Sequence, residues 1–174
     1  MRTDFYILVE GPDDHRFFSR VLRSAFSNLG IVHIVETSRM KRSYFSALME
    51  RIKSDAVGYL FVHDFDHAIC VPARKDDLRE KHPEVELERM MIVVQEIESW
   101  YMAGLTQAQS QKLQIPVYGQ TDDLTKGRFE DIVSSNFGTV KLAKLSLLEA
   151  FSVDEARKNN TSFEYLFRKF IPPN

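Results

Sequence analysis

Cysteine is almost absent: the 174-residue chain holds one, Cys70. A lone thiol excludes an intrachain disulfide and a cysteine-based zinc site, and it fits a reducing, cytoplasmic compartment. A basic surplus is missing too. Lys and Arg number 23 against 25 Asp and Glu, for a formal net charge of −2 and a pI near 6.2. That balance argues against passive capture of nucleic acid but leaves a local basic path open. No apolar run approaches the length needed to span a bilayer. The opening Met1-Arg2-Thr3-Asp4 leads into a short apolar run with an acidic end, which does not read as a signal peptide. There is no internal repeat and no low-complexity segment. A Gly-rich phosphate loop of the P-loop kind is lacking, so ATP hydrolysis by this chain is not expected. Neither a Ser-His-Asp arrangement nor a Gly-x-Ser-x-Gly turn is found, and nothing marks Cys70 as a nucleophile.

What is present is ordinary for one soluble domain: 44% apolar residues, 28% charged, and 13 Phe to fill a core. At this length no staple is needed. Phe5–Val9 reads as a first strand, stopped by Gly11-Pro12. Asp13 or Asp14 is placed to cap a helix running to about Asn28, with Phe17, Phe18, Val21, Leu22, Ala25, Phe26 and Leu29 at helical spacing and Gly30 as terminator. Ile31–Glu36 is the second strand. A helix from about Ser43 to Lys53 sets Tyr44, Leu48, Met49 and Ile52 on one side. Val57–Val62 is a continuous apolar strand of the buried parallel type. Residues 68–88 are expected to hold a short exposed helix in a long excursion. Arg89–Val94 is the fourth strand, followed at once by a helix with Ile97, Trp100, Tyr101 and Leu105. Alternating strands and helices up to residue 105 predict an α/β fold with a mainly parallel sheet. Residues 106–174 are expected to form a helical C-terminal extension packed on the same domain, with helices at Phe129–Ser134, Lys141–Ala150, Val153–Asn159 and Ser162–Phe170.

Two of the strands end in acids. Glu10-Gly11-Pro12-Asp13-Asp14 follows the first, and His63-Asp64-Phe65-Asp66-His67 follows the third. Ligands of open α/β sheets bind beyond the carboxyl ends of the strands. Carboxylates beside apolar strands are costly unless solvated, paired or holding a cation. Asp64 and Asp66, two apart, face the same way if the segment is extended. Hard oxygen donors in this number suit Mg²⁺, Mn²⁺ or Ca²⁺. Asp14 taken alone reads more readily as a helix N-cap than as a ligand. His63 and His67 are either hydrogen-bond partners or nitrogen ligands favouring Mn²⁺ over Mg²⁺. His15 either contacts a phosphate or faces water.

The apolar strand with Glu10-Gly11-x-x-Asp14, followed by the strand with Asp64-x-Asp66, resembles the Toprim domain. That fold is shared by topoisomerases, bacterial primases, a ribosomal RNA maturase and the overcoming-lysogenization-defect nucleases. The resemblance covers residues 4–105, within a Toprim-like core of 1–105. Glu96–Gly104 and Asn160–Glu164 are similar to segments of small stand-alone Toprim-like proteins associated with ATPases in phage defence. The resemblance implies a magnesium- or manganese-dependent nuclease. Glu10 would be a general acid/base or metal-associated carboxylate, Asp64 and Asp66 the principal ligands, and Asp14 and Glu98 supporting ligands. Lys144 or Lys141 would stabilise the transition state. DNA or RNA is the implied substrate, a separate ATPase an implied partner, and an oligomer is compatible. One or two ions serve such chemistry. Cations for the substrate backbone are Arg39, Lys41 and Arg42 after the second strand, with Arg74 and Lys75 in the excursion. Tyr44 reads either as a base-stacking ring or as core. Two other classes stay open. One is a non-catalytic interaction or regulatory subunit on the same fold. The other is a receiver-like phosphoacceptor, which the acid pattern fits poorly because the pair follows the third strand.

Overall fold

The computed structural model describes residues 3–171, so the reading of the first residues falls partly outside it. Four strands form one parallel sheet: β1 (Asp4–Val9), β2 (Ile31–Glu36), β3 (Gly58–Asp64) and β4 (Met90–Val93), in the order β2-β1-β3-β4. The register pairs Val9 with Glu36 and Leu8 with both Val35 and Phe61. Parallel pairing places the carboxyl ends of β1, β2 and β3 along one edge. The continuous apolar strands predicted a sheet buried on both faces, and β1 and β3 each carry four fully or nearly fully buried apolar residues.

α1 (Pro12–Phe17) starts on Gly11, with Pro12 at its first position, where the missing N–H costs nothing. The helix does not run on to Asn28. A π-helical turn at Phe18–Leu22, with the Arg23 N–H donating to the Phe18 carbonyl at 2.8 Å, interrupts it, and a 3₁₀ turn covers Ser27–Leu29. Phe17, Phe18, Leu22 and Phe26 are all buried along this interrupted segment. Gly30 then takes φ 148°, and a Cβ there would fall 2.0 Å from the Thr3 carbonyl oxygen.

α2 (Arg42–Ser54) buries Phe45, Met49 and Ile52. Tyr44 is 66% exposed, so it lies off the core stripe expected of it. α3 (Val71–Lys81) occupies the excursion but is not simply exposed: Arg74 and Leu78 are buried. Leu8, Phe45, Met49, Ile52, Tyr59, Phe61, Leu78, Val85, Met90 and Ile92 form one core on this face of the sheet.

The chain divides into two compact units between Ile92 and Val93. The anticipated division near residue 105 lies further along. The reason is local: α4 (Ile97–Ala103), buried at every residue, packs with the helices that follow it. These are α5 (Gln107–Leu113), α6 (Lys126–Ser134), α7 (Val140–Glu149), α8 (Val153–Asn159) and α9 (Thr161–Phe170). α5 has no counterpart in the sequence reading; its polar run Gln107-Ala108-Gln109-Ser110 is set by a Thr106–Gln109 capping box rather than by an apolar stripe. Among the described residues no helix is long and apolar enough to cross a membrane.

Candidate functional site

Glu10 sits one residue past β1 and His63 and Asp64 are the last two of β3, so the neighbouring central strands bring these groups together. Leu8 and Phe61 point to the same face and share one core. Period-two alternation therefore directs Glu10 and His63 to that face. Glu10 Oε2 lies 3.1 Å from His63 Nδ1. Both atoms are buried, so the carboxylate and the imidazole face each other away from water. His63 is 9% exposed, its ring against Phe61 at 4.4 Å. The His63 imidazole is the largest influence holding the Glu10 carboxyl below its ordinary range; burial opposes it, and the Asp64 backbone N–H and the Arg74 guanidinium add to it.

Asp14 does not cap α1 as its first residue. From the third helical position its Oδ2 accepts the Gly11 N–H at 3.1 Å, holding the Glu10–Gly11 turn against the helix. It is buried. His15, beside it, donates its backbone N–H to the Gly11 carbonyl and is half-buried.

The Asp-x-Asp pair does not share one orientation. Asp64 ends the strand, whereas Asp66 has left the extended path with φ 52°. Arg74, 7% exposed, accounts for this. Its Nε donates to the Asp64 carbonyl at 2.9 Å, Nη1 to Asp77 at 3.0 Å and Nη2 to Asp66 at 2.5 Å. Arg74 is thus a pin for the loop after β3 rather than a cation presented to a substrate. Lys75 donates to the Leu87 carbonyl. His67 is exposed at an open depression of about 460 Å³ that Asp66, Ile69, Arg74 and Asp77 also line.

The turn after β2 is tied to the site. Thr37 donates from its N–H and its hydroxyl to the Val9 carbonyl, and the Ser38 N–H donates to the Glu10 carbonyl at 3.0 Å. Arg39 and Lys41 follow, both exposed. Arg42 is turned to Glu84 at 2.6 Å and to His82 Nδ1 at 2.9 Å. His82 meets Phe45 edge-on and Phe61 at a tilt. This Arg42–His82–Glu84 cluster joins residues forty apart in sequence, and no local pattern announces it.

Glu98 and Lys144 lie in the second unit and bind each other at 2.6 Å, 3% and 1% exposed. Lys144 also stands over the Tyr101 and Phe129 rings. Lys141 is exposed. The two motif segments of this unit meet in a buried polar network. The Trp100 indole N–H and the Val94 N–H donate to Ser162 Oγ, and Ser162 donates to Asn160 Oδ1. Asn160 Nδ2 donates to Thr121 and Ser99, while its Oδ1 caps α9 through the Phe163 N–H. Glu96 accepts the Lys126 N–H at the start of α6, and Glu164 pairs with Arg157.

Among the described residues no three His, Cys, Asp or Glu side chains converge as a ready-made cation cage. The capture of Asp66 by Arg74 is one reason. The donor chemistry that remains is oxygen: Glu10 beyond β1 and Asp64 at the end of β3 are carboxylates on neighbouring strands. Mg²⁺ and Mn²⁺ keep several waters and commonly take only one or two carboxylates. Compared with protein-family models, curated proteins and solved structures, the chain matches none.

Proposed function

We propose that this protein is a divalent-cation-dependent enzyme of Toprim type that cleaves phosphodiester bonds of DNA or RNA. The observation that carries the reading is the adjacency of β1 and β3, which sets Glu10 against His63 and the Asp64 backbone at the carboxyl edge of a parallel sheet. Glu10 and Asp64 would hold the cation, with Asp14 fixing the turn that carries Glu10. A bound divalent ion supplies charge neutralisation at phosphorus and a more acidic water. Glu10, kept ionised by its neighbours, is suited to accept a proton from that water. Arg39 and Lys41 follow the turn whose Ser38 N–H meets the Glu10 carbonyl, and they would take phosphate oxygens. Glu98 and Lys144 satisfy one another and are assigned to the packing of the second unit.

The test is cleavage of plasmid DNA and of bulk RNA with Mg²⁺ or Mn²⁺. Glu10→Gln and Asp64→Asn are each expected to lower the rate at least about a hundredfold, and chelation to abolish it. Cleavage that survives both substitutions removes the assignment. One feature favours a second reading, a non-catalytic docking subunit: Asp66 is consumed by Arg74 and no cage is preformed. No cleavage of either nucleic acid, together with no cation binding, would establish that alternative.

A further inference from the structure

β2 lies at one edge of the sheet, and its outer side carries backbone hydrogen-bonding groups that β1 cannot use. We infer that this edge pairs with the same edge of a second copy of the chain, the two β2 strands running antiparallel about a two-fold axis at Ile34, so that one sheet continues across both molecules. The inference does not depend on the reading of Glu10 and Asp64 as a cation site.

The register fixes which groups face outward. Ile31 donates its N–H to the Thr3 carbonyl and Thr37 its N–H to the Val9 carbonyl, both at 2.9 Å, at the two ends of the ladder with β1. In a strand paired on one side, alternate residues turn N–H and C=O to the neighbour and the residues between turn theirs away. Ile31, His33, Val35 and Thr37 therefore serve β1, while Val32, Ile34 and Glu36 face outward. Arg23 Nη1 reaches the outward Val32 carbonyl at 2.8 Å. That carbonyl keeps a second lone pair for an incoming N–H. The opposite edge strand, β4, is buried at every residue, whereas Ile31 is 49% exposed and Glu36 is exposed. β2 also lacks the usual devices that blunt an edge: it has no proline, no lysine and no break in its register, and four of its six residues are Ile or Val. Charge selects a second copy as the occupant. The outward residues are symmetric about Ile34, so a two-fold axis there sets Ile34 opposite its own equivalent and Val32 opposite Glu36. The side chains of Val32 and Glu36 take the same face, and Arg23 stands at the Val32 carbonyl. Each Glu36 carboxylate thus comes beside Arg23 of the other copy. Both are exposed, and neither has an ion-pair partner among the described residues.

The experiment is sedimentation equilibrium of the full chain over a range of concentrations, joined to amide hydrogen exchange read by nuclear magnetic resonance. A strand edge buries little area, so a weak, reversible dimer is expected. Glu36→Arg and Arg23→Glu should each weaken it at least about tenfold, and the two together, which exchange the charges, should restore most of the affinity. All of these changes fall on exposed side chains. In the wild type the Ile34 and Glu36 amides should gain protection as concentration rises, whereas those of His33, Val35 and Thr37, already bonded to β1, should not change. This readout needs no variant. A monomer at every concentration up to about a millimolar overturns the inference. So does a dimer in which the Ile34 and Glu36 amides exchange as fast as in the monomer. Protection of those amides with no response to either charge reversal overturns the Ile34-centred register.

Discussion

Arg74 and His82 show how much a single side chain organises on the first unit. The Arg74 guanidinium spends its fork on one carbonyl and two carboxylates, connecting β3, the following loop and α3. Its carboxylate partners are half exposed, so water softens their loss, but the Asp64 carbonyl and the packed stem are not replaced. Arg74→Ala is expected to cost about 2–3 kcal/mol in urea unfolding. Arg74→Lys should recover less than half, since an ammonium cannot make the planar fork.

His82 is held below its ordinary value of 6.5, chiefly by burial, and further by His63, Arg42 and Lys81; Glu84 pulls the other way. The unfolded chain therefore binds this proton more readily than the folded one. The stability that depends on neutral His82 is whole above pH 6.5 and is lost as pH falls below it, through the lower folded value. His82→Phe, which keeps a ring against Phe45 and Phe61, should flatten the dependence of the urea midpoint on pH below 6.5. A slope unchanged from wild type would show that other groups govern it. At this scale the sequence was legible where a residue's role follows from its immediate neighbours, as for Glu10 before Gly11-Pro12. It was mute where the partner is distant: Arg74 reads as one more surface cation until Asp64, Asp66 and Asp77 are seen around it.

At the scale of elements, strands were the easier part. Ile31–Glu36 and Val153–Asn159 match the sequence expectation residue for residue: an apolar run marks the first, and flanking Ser152 and Asn160 caps bound the second. The first helix departs at Phe18–Leu22, where a π-helical turn replaces the regular winding. Glu98 and Lys144 show the same limit across elements. Each reads alone as a candidate site residue, but α4 and α7 bring them together as a buried pair. Removing one partner strands the other's charge. Lys144→Met should cost about 3–5 kcal/mol, whereas Lys144→Met combined with Glu98→Gln should cost clearly less than the sum of the two single changes. A double-mutant cycle by chemical unfolding measures this, and additive losses would mean the pair is not coupled. The polar network from Trp100 through Ser162 to Asn160 belongs here too. It explains why serine and asparagine stand inside otherwise apolar motifs: each satisfies a donor the packing has buried.

For the molecule as a whole, the near-neutral charge limits how nucleic acid could be held. Binding would rest on a few local contacts, and Arg39 and Lys41 are the exposed cations on the turn tied to Glu10. Replacing both with Ala should weaken DNA or RNA binding at low salt and reduce the slope of log affinity against log salt by about 2. An unchanged slope would place the phosphate path elsewhere. The α/β class, the mainly parallel sheet and the acids that follow two of its strands were legible in the sequence itself, since strand–helix alternation and acids after apolar runs are local signals. Only the tertiary structure decided which groups meet: strand order put Glu10 beside His63 and the Asp64 backbone, and a buried guanidinium drew Asp66 aside. The physical reason is that periodicity records which face a residue takes, while contacts between residues tens of positions apart arise only when the sheet has formed.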